Sequence, residues 1–379
     1  MRKAIVVSIF LTLTGCVTQP EPEKVPAVIY HMEGSQEAYG ITETHDRNYY
    51  IITGWTDKGG EYYPPRCMLL KVDKEGNLVE KKVFLSLEWS CGTIAKLGDS
   101  VNYIARSSDN IVKINSNLDV VFKKPFPNMT YSFITDILEV QGMETYYVAA
   151  LYRRTTVYRI DDNGVVLDSL TLPAVGNRSS VIETDASGNI YIAVQENDTL
   201  EDRHGYVFVK LNSDLDSVLV NFIDVGEIFG YSAGYVTGME RFGDGTLLIS
   251  ALIVRGFLDG FSALFKVDSM GDIVRDTAID YSMTAIEDMT KVEGGDIVLI
   301  GSALRNGYFF NFVMRLRPDL SVVWYKEFLE DFACSLAYAS IIQDSDGNLA
   351  IAGYCAGLDD MAFMKLDAST GEPIVWSER

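Results

Sequence analysis

The chain has 379 residues, and its 53 Asp and Glu against 32 Lys and Arg give a formal net charge of −21. A hydrophobic fraction of 47% and a charged fraction of 22% are those of a folded globular protein and exclude wholesale disorder. The acidic balance argues against nucleic acid as a partner, because phosphate binding requires a cationic surface.

The N-terminal segment has the pattern of a targeting signal. Residues 1–3 form a basic start, and residues 4–13 form an apolar run that is too short to span a bilayer. The run ends in Leu13-Thr14-Gly15-Cys16, which resembles the lipobox of bacterial lipoproteins. The resemblance implies cleavage before Cys16, lipidation of that cysteine and attachment of the mature chain to a membrane of the cell envelope. An ordinary secretory signal with a chance cysteine is the alternative.

The residues after Cys16 predict a tether followed by one large domain. Val17, rather than Asp, follows the cysteine, which resembles the outer-membrane sorting pattern of Gram-negative lipoproteins. Residues 18–26 are rich in Pro and in charge and predict an extended linker. The predicted organisation is a signal peptide at 1–15, a lipidated cysteine and tether at 16–26, and a folded domain at 27–379.

Two short motifs repeat along the folded domain. A cationic residue, an apolar residue and usually Asp or Asn recur about every 50 residues. The copies begin at Lys71, Lys113, Arg159, Lys210, Lys266, Arg315 and Lys365. A serine that opens an apolar stretch recurs equally often, at Ser35, Ser90, Ser132, Ser179, Ser232, Ser282 and Ser335. Because two unrelated motifs occur the same number of times with the same spacing, the sequence indicates seven repeated units.

Each unit has the pattern of four strands joined by tight turns, with a glycine at each turn to supply a positive φ. In the last unit the strands are predicted at residues 336–343, 348–354, 361–366 and 373–377. Such units are typical of propeller blades. The sequence therefore predicts an all-β fold, a seven-bladed β-propeller of four-stranded blades, with six or eight blades as the alternatives. The ring is expected to be closed by the terminal strands, with residues 28–32 beside residues 374–376.

The last unit also carries a family resemblance. Leu366-Asp367-Ala368-Ser369-Thr370-Gly371-Glu372 followed by Trp376 closely matches the repeat of quinoprotein-like (PQQ-type) propellers, and Trp324 stands at the matching place of the sixth unit. The resemblance implies a propeller over nearly the whole mature chain. The other units carry Glu80, Phe122, Asp168, Leu219 and Arg275 at that offset, so no cofactor is predicted.

The loops opposite the tight turns form the predicted binding face. In a propeller, the connections between second and third strands and between blades lie together, and here they vary in length and carry aromatic and arginine residues. Connections of the first kind are predicted at residues 56–66, 196–205, 255–260 and 305–308. The candidate binding residues are Tyr62, Tyr63, Arg66, Trp89, Tyr131, Arg178, Tyr231, Arg255, Phe257, Tyr281, Arg305 and Tyr308. Such side chains suit a peptide or sugar surface. The alternative for each aromatic residue is packing against a blade edge.

Several other motifs are interpreted as structural. Gly230-Tyr231-Ser232-Ala233-Gly234 fits the G-x-S-x-G of serine hydrolases, but Ser232 occupies the recurring serine position. His31, His45 and His204 lack metal-ligand spacing, so no metal site is predicted. Asp344-Ser345-Asp346-Gly347 is interpreted as a hairpin turn rather than a calcium loop. The recurring Lys or Arg is expected to pair with acidic residues of neighbouring blades or to cap strand ends.

The remaining four cysteines suit an oxidising compartment. Pairing about the turn at residues 344–347 puts Cys355 opposite residue 336, close to Cys334, which predicts a Cys334–Cys355 disulfide. Cys67 and Cys91 then pair by elimination.

The favoured function is that of a lipid-anchored cell-envelope protein that binds or scaffolds through its variable loops, in the outer membrane if the cell is Gram-negative. The expected partner is an envelope protein or a glycan, and the propeller is expected to be monomeric. The alternative is an envelope enzyme, either a quinoprotein-like dehydrogenase or a glycan-active hydrolase or lyase. Because no acid–base constellation recurs, no catalytic residue is predicted.

Overall fold

The computed structural model describes residues 27–374 apart from the segments 58–60, 62–63, 89–90, 98–101, 108–109, 126–132, 140–144, 153, 173–179, 199–202, 257–258, 280–284, 306–307, 330–335 and 356–359. This part of the chain forms β-strands and one short helix, α1 (Val225–Phe229). The strands make seven four-stranded antiparallel sheets. The all-β prediction and the four-stranded units are therefore confirmed.

The sheets follow one another along the chain, with the first β-strand, β1 (Val28–Tyr30), set apart from its chain neighbours. Sheet 1 contains β2 (Gln36–Glu43), β3 (Tyr49–Thr56), β4 (Arg66–Asp73) and β5 (Leu78–Glu88). Sheet 2 contains β6 (Cys91–Lys96), β7 (Asn102–Ser107), β8 (Asn110–Asn115) and β9 (Val120–Pro125). Sheet 3 contains β10 (Phe133–Glu139), β11 (Thr145–Tyr152), β12 (Arg154–Asp161) and β13 (Val166–Thr171).

The remaining sheets repeat this order. Sheet 4 contains β14 (Ser180–Thr184), β15 (Ile190–Asp198), β16 (Arg203–Leu211) and β17 (Ser217–Asp224). Sheet 5 contains β18 (Ser232–Arg241), β19 (Leu247–Gly256), β20 (Asp259–Val267) and β21 (Ile273–Ile279). Sheet 6 contains β22 (Ala285–Lys291), β23 (Ile297–Arg305), β24 (Tyr308–Leu316) and β25 (Val322–Leu329). Sheet 7 contains β26 (Leu336–Gln343), β27 (Asn348–Cys355), β28 (Asp360–Asp367) and β1.

The first strands of neighbouring sheets contact one another. We call β2, β6, β10, β14, β18, β22 and β26 the inner strands, because they contact one another in chain order and β26 contacts β2. The fourth strands lie at the opposite edge of each sheet and carry exposed apolar side chains such as Val121, Leu167 and Val220. Each sheet therefore runs from an inner to an outer edge, as a propeller blade does.

The hydrophobic core lies between the sheets. Ile51 of sheet 1 packs with Tyr103 of sheet 2 in one buried cluster, and Tyr50 of sheet 1 packs with Phe363 of sheet 7 in another. Because each sheet is covered on both faces, its middle strands are buried along nearly their whole length, as in β27. Packing between neighbours therefore holds the sheets together.

Each turn between a third and a fourth strand has one residue with a positive φ, and this residue is either glycine or leucine. The turn position with positive φ is glycine in sheets 1, 3, 5 and 7, but it is Leu118, Leu215 and Leu320 in sheets 2, 4 and 6. The prediction of a glycine at each turn is therefore wrong for these three turns, and it is also wrong for the turn between β2 and β3, where Arg47 has a φ of 61°. A left-handed leucine costs about 1–2 kcal/mol, and its burial compensates for that cost. Leu118 is fully buried between sheets 1 and 2.

An aromatic ring of the preceding sheet decides which residue fits at this position. A Cβ added to Gly371 would lie 2.8 Å from the Trp324 ring, and one added to Gly164 would lie 2.7 Å from the Phe122 ring. The ring fills the space that a leucine fills elsewhere. The Trp324 indole also donates a 3.1 Å hydrogen bond to the carbonyl of Ala368. Trp324 thus docks sheet 6 onto the turn of sheet 7.

Replacing Gly371 by alanine is expected to destabilise the protein more than replacing Gly347. Both glycines have a positive φ, of 73° and 82°, but nothing lies within 4 Å of the Cβ position at Gly347. The clash with Trp324 should lower the free energy of unfolding of Gly371→Ala by about 1–3 kcal/mol more than that of Gly347→Ala. Denaturant unfolding of both variants measures the difference, and equal losses would contradict the docking role of Trp324.

The outer strand of sheet 7 comes from both ends of the described chain. β1 pairs with β28, with Val28 opposite Phe363 and Tyr30 opposite Met361. Farther along β28, Pro373 bridges Leu366 and the Ile374 N–H donates to the Lys365 carbonyl. The two segments therefore follow one another along one partner strand rather than pairing with each other. Residues 375–379, the rest of the predicted fourth strand, lie outside the described residues.

Candidate functional site

Each sheet has two chemically different ends. We call "turn end" the end with the connections from first to second and from third to fourth strand, and "loop end" the end with the other connections. Aspartate and asparagine side chains organise the turn end: Asp73 Oδ1 accepts from the backbone N–H groups of Glu75 and Asn77, and Asp344 Oδ1 accepts from those of Asp346 and Asn348. Residues 344–347 are thus a hairpin turn, as predicted.

In sheets 1, 2, 3, 5 and 6, the recurring Lys or Arg bonds to the next sheet at the turn end. Lys71 Nζ donates to the Ser116 carbonyl at 3.1 Å, and Arg315 donates to the Ala368 carbonyl at 2.9 Å. Lys113, Arg159 and Lys266 do the same to the carbonyls of Asp162, Ser213 and Pro318. The predicted contact with a neighbouring sheet is present in these five sheets, but the acceptor in each of these bonds is a backbone carbonyl rather than the predicted carboxylate. Arg159 also lies 3.4 Å from Asp214 of the next sheet. The turn end is therefore occupied by structural contacts.

At the loop end, the described strands extend farther than the sequence predicts. Residues 196–198 continue β15 and pair with residues 203–205 of β16, so these six residues of the predicted loop at 196–205 belong to strands. In the predicted loops at 255–260 and 305–308, residues 255–256, 259–260, 305 and 308 likewise belong to strands. The other residues of these three predicted loops lie outside the described residues. Residues 57–65 remain a long connection in sheet 1. The backbones of polar residues at these strand ends pair with the neighbouring strand, although their polar composition is typical of loops.

Five of the twelve predicted binding residues lie in the described part of the chain. Arg66 begins β4, and Tyr231 precedes β18 with a side chain that is 43% exposed. Arg255, Arg305 and Tyr308 lie at the loop ends of β19, β23 and β24. The other predicted residues lie outside the described residues: Tyr62, Tyr63, Trp89, Tyr131, Arg178, Phe257 and Tyr281.

Tyr231 belongs to an aromatic patch that α1 supports. Asp224 caps the N-terminus of α1 and Gly230 ends it in the left-handed region. The Phe229 and Tyr231 rings pack edge-on against Phe261, at centroid distances of 5.4 and 6.2 Å. The helix precedes Ser232, which begins β18, so the strand–turn–helix context of a hydrolase serine is not present here.

A disulfide fixes the loop end of sheet 1 to sheet 2. Cys67 of β4 is bonded to Cys91 of β6, with Cα atoms 4.9 Å apart, as predicted. In sheet 7, Leu336 pairs with Cys355, which is the predicted register, and Cys355 is itself disulfide-bonded. Its predicted partner, Cys334, lies outside the described residues.

The sequence analysis missed a polar and aromatic cluster beside this disulfide. Glu37 of β2 lies opposite Trp55 of β3, which in turn lies opposite Cys67. Trp55 Nε1 is 3.1 Å from Glu37 Oε2 and 3.2 Å from the Tyr39 hydroxyl, and the Tyr39 hydroxyl donates to Glu37 Oε2. We call Glu37, Tyr39 and Trp55 the Trp55 cluster. Three half-buried side chains at the loop end thus bond to one another.

Three inner strands carry carboxyl groups whose pKa is raised: Glu183 in β14, Glu240 in β18 and Asp288 in β22. Asp288 accepts hydrogen bonds from the N–H groups of Met289 and, across the sheet boundary, Ile341, at 2.8 and 2.9 Å. Burial raises the pKa of Asp288 to about 6, although these two bonds act in the opposite direction. Burial, followed by repulsion from Glu183, raises the pKa of Glu240. Burial also raises the pKa of Glu183, and Asp136 adds to that effect.

These raised pKa values predict that stability falls as pH rises. A carboxyl that holds its proton more tightly in the folded state stabilises the fold below its unfolded pKa, and that contribution is lost as pH rises through the folded pKa. Glu240→Gln removes one such charge, so the variant should lose less stability than the wild-type chain between about pH 5 and pH 8. Denaturant unfolding at both pH values tests this, with exposed Glu75→Gln as the control. Parallel pH profiles for all three chains would contradict it.

Within the described residues, no group of three His, Cys, Asp or Glu side chains could hold a metal ion. His31 pairs with Asp360 at 2.6 Å. No helix of this part of the chain is long and apolar enough to cross a membrane.

Comparison with known proteins yields structural likeness at low sequence identity. No protein-family model and no curated protein matches the chain. BBS1N, crystallised in complex with ARL6DN, has a TM-score of 0.57 at 9% identity and covers 92% of this chain and 99% of its own. The extracellular domain of the putative hybrid two component system BT3049 from B. thetaiotaomicron has a TM-score of 0.57 at 11% identity, over 89% of this chain and 41% of its own.

A third structure, Hsv2 from Kluyveromyces lactis, has a TM-score of 0.50 at 12% identity, over 84% of this chain and 90% of its own. The likenesses do not bear on the lipobox or the quinoprotein-like motif, which stay predictions from the sequence. Together with the seven sheets, they show that the chain has an all-β fold of the propeller type.

Proposed function

We propose that this protein is a lipid-anchored, seven-bladed propeller of the cell envelope that binds a protein partner through its loop end. Its seven sheets are the blades, and the contacts of β2 with β26, together with the pairing of β1 with β28, close the ring. The lipobox at residues 13–16 supplies the anchor, and residues 18–26 supply the tether.

The contrast between the two ends of the sheets carries this proposal. At the turn end the same lysine or arginine clamp recurs, so side chains there are used for packing between sheets. At the loop end the sheets differ from one another: sheet 1 carries the Trp55 cluster and the disulfide, and sheet 5 carries Tyr231 and Tyr235, which are 43% and 36% exposed. Variation on one end of a repeat architecture is how such proteins build binding surfaces.

The choice of a protein partner has support from the comparisons and from charge. BBS1N, which has a similar fold, was crystallised in complex with ARL6DN. Half-exposed tyrosines on a rigid frame are typical anchors of protein interfaces. The net charge of −21 favours partners with basic surfaces.

Two measurements test the proposal. Labelling of cells with a fatty-acid analogue should mark the wild-type chain, and Cys16→Ala should abolish the label. A pulldown from solubilised envelope should recover a partner with the wild-type chain and lose it with a Tyr231→Ala, Tyr235→Ala double variant. Labelling of Cys16→Ala would contradict the anchor, and recovery of no specific partner would contradict the binding function.

A further inference from the structure

Glu37 is the hydrogen-bond acceptor of the Trp55 cluster. Both hydrogen bonds to Glu37 come from neutral donors, the Trp55 indole and the Tyr39 hydroxyl, and both end on Oε2. No ion pair or hydrogen bond from the described residues reaches Oε1. Neutral donors fix the position of the carboxylate but leave its negative charge unbalanced.

Another glutamate of the same strand shows the contrast. Glu43, at the turn end of β2, forms ion pairs with Lys74 and with Lys96, and the hydroxyl and N–H of Ser345 donate to it. Hydrogen bonds and the ion pair with Lys74 lower the pKa of Glu43 against the effect of burial. Among the residues that the structure describes, Lys74 and Lys96 form ion pairs with Glu43, whereas no cation forms one with Glu37.

Aromatic rings complete the surroundings of Glu37. Trp55 and Tyr39 are half-buried, and Tyr354 of sheet 7 lies near enough to Tyr39 to affect its titration electrostatically. The faces of such rings attract cations. The fold already uses this attraction at the turn end, where Lys71 Nζ lies 4.5 Å from the Tyr49 ring centroid and Lys74 Nζ lies 4.8 Å from that of Tyr50.

We propose that the Trp55 cluster receives a lysine or arginine side chain of the protein partner, with Glu37 Oε1 as the acceptor and the Trp55 and Tyr39 rings as its walls. This inference rests on the proposed function and adds the chemistry of recognition. The Cys67–Cys91 disulfide lies in the same cross-strand row as Glu37 and Trp55, so it holds the cluster rigid before binding. A neutral sugar would stack on the rings but would leave the charge of Glu37 unbalanced.

The indole N–H of Trp55 provides a direct probe. In ¹⁵N NMR spectra of the mature chain, Trp55→Phe assigns this resonance among those of the four tryptophans. Titration with N-acetyl-lysine methylamide or N-acetyl-arginine methylamide should shift it in a saturable, salt-sensitive manner. Glu37→Gln keeps the acceptor for both neutral donors and removes the charge, so binding should weaken about tenfold. Exposed Glu75→Gln at the turn end is the matched control and should bind as the wild-type chain does.

Each alternative outcome has a defined meaning. No saturable shift with either amide, or equal binding by Glu37→Gln and the wild-type chain, would overturn the inference. Saturation by methyl glucoside with no effect of Glu37→Gln would also overturn it and would assign the cluster to glycans. Thermal unfolding of Glu37→Gln near the wild-type temperature confirms that the variant is folded. If the envelope pulldown recovers a partner that Glu37→Gln still binds, the inference fails while the proposed function stands.

Discussion

Replacing Tyr30 by alanine should lower the free energy of unfolding by about 3–5 kcal/mol, the loss typical of a large buried aromatic side chain. Tyr30 is 6% exposed and packs in the cluster that sheets 7 and 1 share, beside Met361 and Phe363. Its hydroxyl donates a 2.8 Å hydrogen bond to the carbonyl of Gly76 in the turn of sheet 1. Tyr30 thus connects β1, the outer strand of sheet 7, to the first sheet.

The conservative variant separates the two contributions. Tyr30→Phe keeps the packing and removes the hydrogen bond, so it should lose about 1 kcal/mol. Denaturant unfolding of both variants, with the slope of the transition checked for two-state behaviour, gives the two losses. A loss below about 1 kcal/mol for Tyr30→Ala would mean that β1 is dispensable and that sheets 7 and 1 hold together without it.

Removing the Cys67–Cys91 disulfide has the second largest expected effect. The bond links residues 24 apart in sequence and joins sheet 1 to sheet 2. For a closed loop of this length, the entropy of the unfolded chain predicts a loss of about 3 kcal/mol. The variant is Cys67→Ala with Cys91→Ala, because a single change would leave a free thiol able to exchange with other disulfides.

The measurement compares unfolding of this double variant with that of the wild-type chain, both under oxidising conditions. Cys355 is also disulfide-bonded, so a reductant alone would not isolate the effect of one bond. The rigid Trp55 cluster adds a second readout, since the Trp55 indole resonance should broaden or shift in the double variant. Unchanged stability together with an unchanged resonance would contradict the role given to the disulfide.

Most of the fold was predictable because its signals are local. The recurring triplet begins with the cation that clamps neighbouring sheets, as at Lys71, and usually ends with an Asp or Asn that organises a turn, as at Asp73. The Asp or Asn contacts residues of its own turn, and the cation contacts one fixed position of the next unit. Because these contacts recur from unit to unit, the residue types that make them recur in the sequence. The predicted pairing of Cys355 with Leu336 is present, but the tight turn alone does not produce it, because the register of β26 and β27 shifts between Tyr338 and Ser340.

Features that depend on a neighbouring sheet were not predictable. Whether a turn carries glycine or leucine at positive φ depends on the ring that the preceding sheet supplies, as Trp324 does at Gly371. The split outer strand of sheet 7 depends on how the two ends share β28. Neither the choice of turn residue nor the split of the outer strand is visible in the sequence of the residues involved.

The Trp55 cluster was not predicted from the sequence for a related reason. Glu37 and Trp55 are 18 residues apart in sequence but lie directly opposite each other in the paired strands β2 and β3. Tyr39, which donates to Glu37, lies where the pairing of β2 with β3 shifts register, between residues 38 and 40. The alternation of β2 and β3 predicts strands but not which polar residue meets which ring. In the sequence, Trp55 stands in the strand before the one that carries Cys67. Without the register of the strands, that pattern does not indicate a binding site.

Site-specific photo-crosslinking tests most directly whether the loop end is the binding surface. A photoreactive amino acid would replace exposed residues of the loop end, Tyr231 or Tyr235, or exposed residues of the turn end, Glu75 or Ser187. In cells, the loop-end positions should give a discrete crosslinked protein and the turn-end positions should give none. Crosslinks from the turn end alone, or equally from both ends, would contradict the assignment of the loop end as the binding surface.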